Sequence, residues 1–178
     1  MHSVRRVVVA AALTVGMCGV PAVITTAQAT AASSTSATKA ATNWPLVQKG
    51  NTGGRVRAIQ YLLNQRGAKL TVDGIFGTAT ENAVKAFQKK INMPAVGWVG
   101  PKTWPKLIIT VKNGSTGSAV SAVQWQLRNE YGFTKLAVDG KFGPATTSAV
   151  KSFQKRYKLT QDGIVGNNTW MALEANHT

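Results

Sequence analysis

Cysteine and histidine are almost absent from this 178-residue sequence. The single cysteine is Cys18, and the two histidines, His2 and His177, lie near opposite ends of the chain. One cysteine cannot form a disulfide within the chain, and these three residues cannot assemble a zinc site of cysteine and histidine ligands. The sequence therefore excludes a disulfide-stapled framework and a Cys/His metal centre, and we expect neither a metal nor a cofactor.

Acidic residues are also scarce, with Asp+Glu 6 against Lys+Arg 21, which gives a net charge of +15. Charged residues make up 15% of the chain, below the roughly 25% typical of globular proteins. The positive charge therefore reflects missing acids more than abundant lysine and arginine. A polyanionic partner is the natural inference, and cell-wall polymers, nucleic acid and anionic membranes all fit.

The first 29 residues have the three-part pattern of a secretory signal peptide. Two arginines precede an apolar run over residues 7–20, and a small-x-small segment ends at Ala29. The run is shorter than the roughly 20 residues of a membrane-spanning helix, so a retained anchor is the weaker alternative. We predict cleavage after Ala29, with Ala31 as the alternative site, and a disordered Ala/Ser/Thr linker over residues 30–43.

The rest of the chain contains one long motif twice. Residues 72–88 read VDGIFGTATENAVKAFQ and residues 138–154 read VDGKFGPATTSAVKSFQ, with 12 of the 17 positions identical. Matching glycine, valine and glutamine positions extend the similarity upstream, and matching glycine, threonine and tryptophan positions extend it downstream. We therefore predict two domains, over residues 44–108 and 111–178, each near the lower size limit for independent folding.

Each domain is predicted to contain three helices, because apolar residues recur three, four and seven positions apart. In the first domain, Thr78 or Thr80 could cap the second helix, and Pro101 suits the first position of the third. Pro105 should shorten or bend that third helix. The prediction is thus an all-α chain of two tandem three-helix domains after a signal peptide and a disordered linker.

Both domains share the run Asp-Gly-x-Phe-Gly-x-x-Thr, at residues 73–80 and 139–146, followed by Ala-Val-x-x-Phe-Gln. The second domain adds Asp-Gly-x-x-Gly-x-x-Thr-Trp over residues 162–170. In this ordered series each domain resembles the small three-helix peptidoglycan-binding module of bacterial cell-wall proteins. The first domain departs from the pattern at Val96, which stands where the second has Asp162, and we expect its second Asp-Gly turn to be lost.

The resemblance and the repeat together give seven candidate ligand-binding residues. For the aspartates, the alternative is a turn-forming hydrogen bond to the backbone, and for the phenylalanines it is a place in the core. Trp98 and Trp125, like Trp44, have no matching tryptophan in the other domain. They are therefore better candidates than the matched tryptophans for a partly exposed surface on which a ligand could stack. The candidates are Asp73, Phe76, Trp98, Trp125, Asp139, Phe142 and Asp162.

Other repeated residues are expected to be structural. Trp104 and Trp170 match each other and should belong to the core. Four glutamines beside apolar positions are expected to be buried amides that bond the backbone, with a ligand contact as the alternative. These glutamines are Gln60, Gln88, Gln124 and Gln154.

A catalytic function is disfavoured by the side chains available. After the predicted cleavage no cysteine nucleophile remains, and His177 is the single histidine left for acid–base or metal chemistry. A glycosidase needs only two carboxylates, but the repeated aspartates are explained by turns and the two domains leave no room for a catalytic one. We therefore expect no enzymatic activity.

The sequence predicts a secreted protein, extracellular or associated with the cell wall, that binds peptidoglycan through two modules and is attracted to anionic wall polymers. The alternative is a targeting or regulatory subunit, activator or inhibitor, of a separate exported cell-wall hydrolase. Nucleic-acid binding is disfavoured because the chain has an export signal and no basic repeat motif. We expect a monomer with no membrane span once the signal is removed.

Overall fold

The computed structural model describes residues 44–175, which form two similar groups of three helices. Within this range there is no strand, and isolated β-bridges join loop segments. The predicted all-α fold of tandem three-helix domains is therefore confirmed. Module 1 here means residues 44–108 and module 2 residues 111–175. The helices are α1 (Gly54–Gln65), α2 (Thr78–Lys90), α3 (Trp104–Leu107), α4 (Ser118–Asn129), α5 (Pro144–Arg156) and α6 (Asn167–Ala175).

Several predictions concern residues outside this range. The signal peptide, its cleavage site at Ala29 and the linker over residues 30–43 all lie outside the described residues. The last three residues, 176–178, lie outside them as well. These features and the domain bounds 44–108 and 111–178 stay predictions.

Glycines, not side-chain caps, begin the first two helices of each module. Gly53 and Gly117 precede α1 and α4 with φ of 102° and 105°, a backbone conformation that residues with a Cβ rarely adopt. Gly77 precedes α2, and no side chain caps that helix. The prediction that Thr78 or Thr80 caps α2 is therefore wrong. Thr80 is instead buried, where its hydroxyl lies 3.2 Å from the side-chain nitrogen of a glutamine on α1.

The third helix differs between the modules. In module 1, α3 has 4 residues, whereas α6 in module 2 has 9. Pro105 lies in the first turn of α3, where a backbone N–H would have no partner within the helix. The prediction of a short third helix is confirmed. Pro101 lies three residues before Trp104, where the helix begins, so its expected place at the first helical position is wrong.

Each module is closed by a buried tryptophan that bonds its own N-terminal segment. Trp104 and Trp170 have no exposed surface, which confirms their predicted place in the core. Their indole N–H groups donate to the carbonyls of Pro45 and Ile109, at 2.8 and 2.9 Å. Trp44 stacks on Trp104 with 5.5 Å between ring centroids and is buried, so the expectation that it is exposed is wrong.

The two modules pack against each other through α1 and α4. At one end, Oε1 of Gln65 accepts the N–H of Ala119 at 3.2 Å, so the last turn of α1 caps the start of α4. At the other end, the carboxylate of Glu130 fills the space that a Cβ on Gly54 would occupy. The two helices therefore run antiparallel. Both use a second face, outside their own module's core, that is also buried; its residues include Ala58, Leu62, Ala119, Ala122 and Gln126.

Polar side chains also cross between the modules. The guanidinium of Arg55 on α1 donates to the carbonyl of Glu174 on α6 at 2.7 Å. The Glu174 carboxylate is itself buried and accepts from the side-chain nitrogen of Gln126 at 2.7 Å. Buried apolar residues of both modules form one continuous cluster beneath these contacts. The two modules are therefore held in one fixed arrangement.

Candidate functional site

The repeated glutamines are buried, and each one fixes a turn. In module 2, Nε2 of Gln124 donates to Oδ1 of Asp139 at 2.8 Å and to the carbonyl two residues further on at 3.0 Å. Its Oε1 accepts the N–H of Gly140 at 2.9 Å. The glutamines that hold turns 73–75 and 162–164 make the same three bonds. The expectation that these glutamines are buried amides bonding the backbone is confirmed.

The three predicted aspartates are exposed residues of these turns. Oδ1 of each accepts the backbone N–H two residues further on, at 2.8 to 2.9 Å. These bonds favour the charged carboxylate. The amide of Gln60 lowers the pKa of Asp73, and the backbone N–H bond lowers the pKa of both Asp139 and Asp162. The turn-forming alternative is thus confirmed, while a ligand contact by the exposed carboxylates stays a prediction.

Val96 interrupts this pattern in module 1 without removing the turn. Gly97 keeps a positive φ of 80°, and its N–H donates to Oε1 of Gln88 at 2.9 Å. Nε2 of Gln88 donates to the carbonyl of Trp98, also at 2.9 Å. The prediction that this turn is lost is therefore wrong, because the glycine and the glutamine suffice to form it. What module 1 lacks there is the carboxylate.

Phe76 and Phe142 follow the turn glycines but point into the core, with 1% and 2% of their surface exposed. Their backbone N–H groups donate to the carbonyls of Asn51 and Ser115, each at 2.9 Å. Buried rings cannot stack on a sugar, so their prediction as ligand-binding residues is corrected. The alternative, a place in the core, is what the structure shows.

The two tryptophans predicted to bind a ligand differ in solvent exposure. Trp98 is 38% exposed on the surface of module 1. Trp125 is half-buried on α4, and the guanidinium of Arg57 on α1 lies 5.1 Å from its ring centroid. That distance is typical of a cation–π contact. Trp98 therefore offers an open aromatic surface, whereas Trp125 belongs to the junction of the modules.

Two equivalent grooves were not predicted from the sequence. In module 2, a groove of about 510 Å³ lies between the loop at 132–136 and α5. In module 1, a groove of about 340 Å³ lies between the loop at 66–70 and α2. Leucine and alanine line both grooves at positions 66 residues apart, and these matching apolar residues are the signal that could have indicated them. The pairs are Leu70 with Leu136 and Ala83 with Ala149.

One predicted aspartate lines a polar recess in module 2. This recess has a volume of about 220 Å³, and Asp162, Thr160, Asn167 and Asn168 contribute to its walls. Carboxylate, hydroxyl and amide groups there could bond a polar ligand. The recess lies beside the second turn, where module 1 has Val96 and Trp98 instead.

All six acidic residues have structural positions. The three aspartates hold turns, and Glu130 and Glu174 lie between the modules. Glu81 pairs with Lys85 and Lys49, and the Lys85 bond is the main cause of its lowered pKa. Among residues 44–175 no three His, Cys, Asp or Glu side chains gather as a metal site requires. No helix in the same range is long and apolar enough to cross a membrane.

Comparison with known proteins identifies the modules. A family model described as "Putative peptidoglycan binding domain" matches residues 52–107 and again residues 116–173. The chain belongs to this peptidoglycan-binding family. Both matched segments contain the glutamine-held turns and the groove of their module. Cell-wall binding is therefore the function that the two peptidoglycan-binding modules support.

The proteins similar to this chain include an amidase and a carboxypeptidase. The N-acetylmuramoyl-L-alanine amidase CwlL of Bacillus licheniformis is 37% identical over 123 residues, covering 64% of this chain and 33% of the relative. Zinc D-Ala-D-Ala carboxypeptidase of Streptomyces albus G is 45% identical over 62 residues, covering 34% of this chain and 24% of the relative. This chain thus spans a third or less of these relatives.

A solved structure gives a further similarity. It is the crystal structure of a peptidoglycan-binding protein from Clostridioides difficile in complex with glutamine hydroxamate. The identity is 44%, with 35% of this chain and 40% of that chain covered and a TM-score of 0.35.

Proposed function

We propose that this chain is a secreted, non-catalytic protein that binds bacterial cell-wall peptidoglycan through both modules. The observation that carries the proposal is the double family match, which takes up most of residues 44–175. The acidic side chains that a glycosidase would need are engaged in turns, in an ion pair and in the module junction. Binding is the activity that these residues support.

The fixed pairing of α1 and α4 supports simultaneous use of both modules. Once one module is bound to a polymeric wall, the second contact becomes intramolecular, so overall retention can exceed the affinity of either module. The exposed carboxylates of Asp73, Asp139 and Asp162 are proposed ligand contacts, since Asp73 and Asp139 lie on equivalent first turns of the two modules and Asp162 lies on the second turn of module 2. The excess of lysine and arginine adds long-range attraction to anionic wall polymers.

Sedimentation with purified sacculi tests this proposal. Walls are used before and after acid extraction of their anionic polymers, each at low and high salt, with an unrelated basic protein of similar net charge as the control. We expect retention on stripped walls at high salt, because short-range recognition persists when long-range charge is screened. Retention no greater than that of the basic control would refute specific binding. Release of new reducing ends or amino groups from the walls would refute the non-catalytic assignment.

A second candidate is a targeting or regulatory subunit of a separate cell-wall hydrolase. Two relatives support this candidate, because one is named as an amidase and the other as a carboxypeptidase. Each is about three to four times as long as the segment that it shares with this chain. In this chain the modules would bring an independent hydrolase to the wall, or block its access. Adding the purified chain to walls digested by an exported hydrolase should then change the digestion rate. An unchanged rate at saturating chain would refute this candidate.

A further inference from the structure

The exposed tryptophan of module 1, Trp98, packs against a buried glycine. A Cβ placed on Gly100 would lie 2.6 Å from Cζ3 of Trp98 and 3.6 Å from Cδ1 of Leu46. The indole and the leucine therefore both rest against this buried glycine, and only a residue without a side chain leaves room for them. We call Leu46, Trp98 and Gly100 the Trp98 surface. Because part of the indole packs against Gly100, binding there would cost less side-chain entropy than binding to a fully exposed tryptophan.

A polar recess adjoins the Trp98 surface. Leu46 also lines a recess of about 350 Å³, together with Asn51, Thr52 and Arg55. Oδ1 of Asn51 accepts the N–H of Gln48 at 2.8 Å, which fixes the side-chain amide. Arg55 is held by its bond to a carbonyl of α6. The recess thus presents amide, hydroxyl and guanidinium groups at fixed positions, and no acidic residue contributes to its lining.

This combination matches the chemistry of a sugar chain. A pyranose has an apolar face of C–H groups that stacks on an aromatic ring, and a rim of hydroxyl and acetamido groups that need hydrogen-bond partners. An exposed indole beside a recess of donors supplies both. A second protein would be expected to bury the leucine and tryptophan without needing the recess, and an anionic polymer would need the arginine without the indole.

Module 2 lacks the Trp98 surface. Thr110 stands at the position of Leu46, and Ile164 stands at the position of Trp98, as the bridge Val47–Val99 and its counterpart Val111–Val165 show. Its second turn instead carries the recess lined by Asp162. The two modules therefore present different chemistry at equivalent positions, although they share a fold.

From these observations we infer that the Trp98 surface and the adjoining recess form a glycan subsite in module 1, which stacks a pyranose of the wall polymer on the indole. This inference rests on the proposed function and names the part of peptidoglycan that module 1 contacts. It also assigns a function to the turn in which Val96 replaces aspartate, because Trp98 belongs to that turn. Module 2 would contact another part of the polymer.

The test uses the full chain and peptide-free glycan strands, prepared by removing the stem peptides from stripped sacculi with an amidase. Binding to the free strands is followed at high salt by isothermal titration calorimetry, whose signal does not depend on the tryptophan that is replaced, and binding to intact sacculi is followed by co-sedimentation. Trp98→Ala should weaken binding to the free strands roughly five- to tenfold, while Trp98→Phe should restore most of it. Gly100→Ala keeps the tryptophan but displaces its ring, and should weaken binding to a similar extent. Ile75→Ala removes another exposed apolar residue of module 1 and serves as the matched control.

The outcomes separate the inference from the proposed function. If the wild-type chain does not bind stripped intact sacculi, the proposed function fails. If it binds intact sacculi but not peptide-free strands, or if Trp98→Ala binds those strands as the wild type does, the glycan subsite is refuted. Loss of self-association in Trp98→Ala, with unchanged glycan binding, would show that a second copy of the chain covers this surface. Circular dichroism melting of each variant distinguishes lost binding from lost folding.

Discussion

Replacing Gln124 with methionine tests whether the glutamine-held turns stabilise the fold. Methionine has a similar length and a similar helix propensity, so α4 itself should be unaffected. The substitution leaves the N–H of Gly140 buried without its acceptor at 2.9 Å, at a cost of about 1–3 kcal/mol. The substitution also removes the side-chain NH₂ group that donates to Asp139 and to the carbonyl of Lys141. Because both of these residues are exposed, water can replace part of the lost hydrogen bonding.

The expected total is a loss of about 2–4 kcal/mol in the free energy of unfolding, or a fall in Tm of roughly 5–15 °C for a chain of this size. Urea unfolding followed by far-ultraviolet circular dichroism measures it. Gln161→Met is the matched control, because Gln161 is exposed and the same change there should stay within about 0.5 kcal/mol. If Gln124→Met unfolds at the same urea concentration as this control, the turn bonds contribute no net stability and the reasoning is refuted.

The remaining predictions also concern the turns and helix ends. Val96→Asp should give Gln88 the carboxylate acceptor that the other turns have, raising stability by about 1 kcal/mol at neutral pH; an unchanged urea midpoint would contradict this. Lys158 has φ of 56° where module 1 has Asn92 at 54°, and asparagine adopts this left-handed conformation more readily than lysine. Lys158→Asn should therefore stabilise the fold by about 0.5–1 kcal/mol, and Asn92→Lys should destabilise it by a similar amount. Thermal melting measures both changes. The lowered pKa values of the three turn aspartates mean that their stabilising contribution is present above their unfolded pKa of about 4. That contribution is lost as the pH falls through the lower folded values. Urea midpoints should therefore fall on acidification, and less steeply when all three are asparagine.

Features that depend on the local spacing of residues could be predicted from the sequence. Repeated Asp-Gly pairs predict the turns, and matched tryptophans predict the core, because both follow from backbone chemistry and periodicity. Thr80 illustrates where local reasoning fails. A threonine near a helix start ordinarily caps it, but this hydroxyl is used by Gln60, twenty residues earlier in the chain. Only the folded structure brings the two together.

Features that depend on packing between modules could not be predicted. Ala58 and Leu62 on α1 are as apolar as the residues facing the module's own core, so the sequence does not show that they face α4. The cap that Gln65 gives to α4 joins residues 54 positions apart and has no sequence pattern. Trp125 is half-covered for the same reason, since the arginine over its ring belongs to the other module.

The antiparallel pairing of α1 and α4 makes this chain the covalent equivalent of a two-fold dimer. Each helix contributes to this contact a buried face that contains alanine, Ala58 on α1 and Ala119 and Ala122 on α4, so the two faces resemble each other as the two sides of a two-fold interface do. A module cut away from its neighbour would expose Leu62 or Ala122 to water, and a second copy of that module could cover the exposed face. Fragments that contain one module should therefore tend to form homodimers, in which two copies make the contact that the intact chain forms within itself. The binding of a single module would then have to be measured at concentrations where its self-association is known.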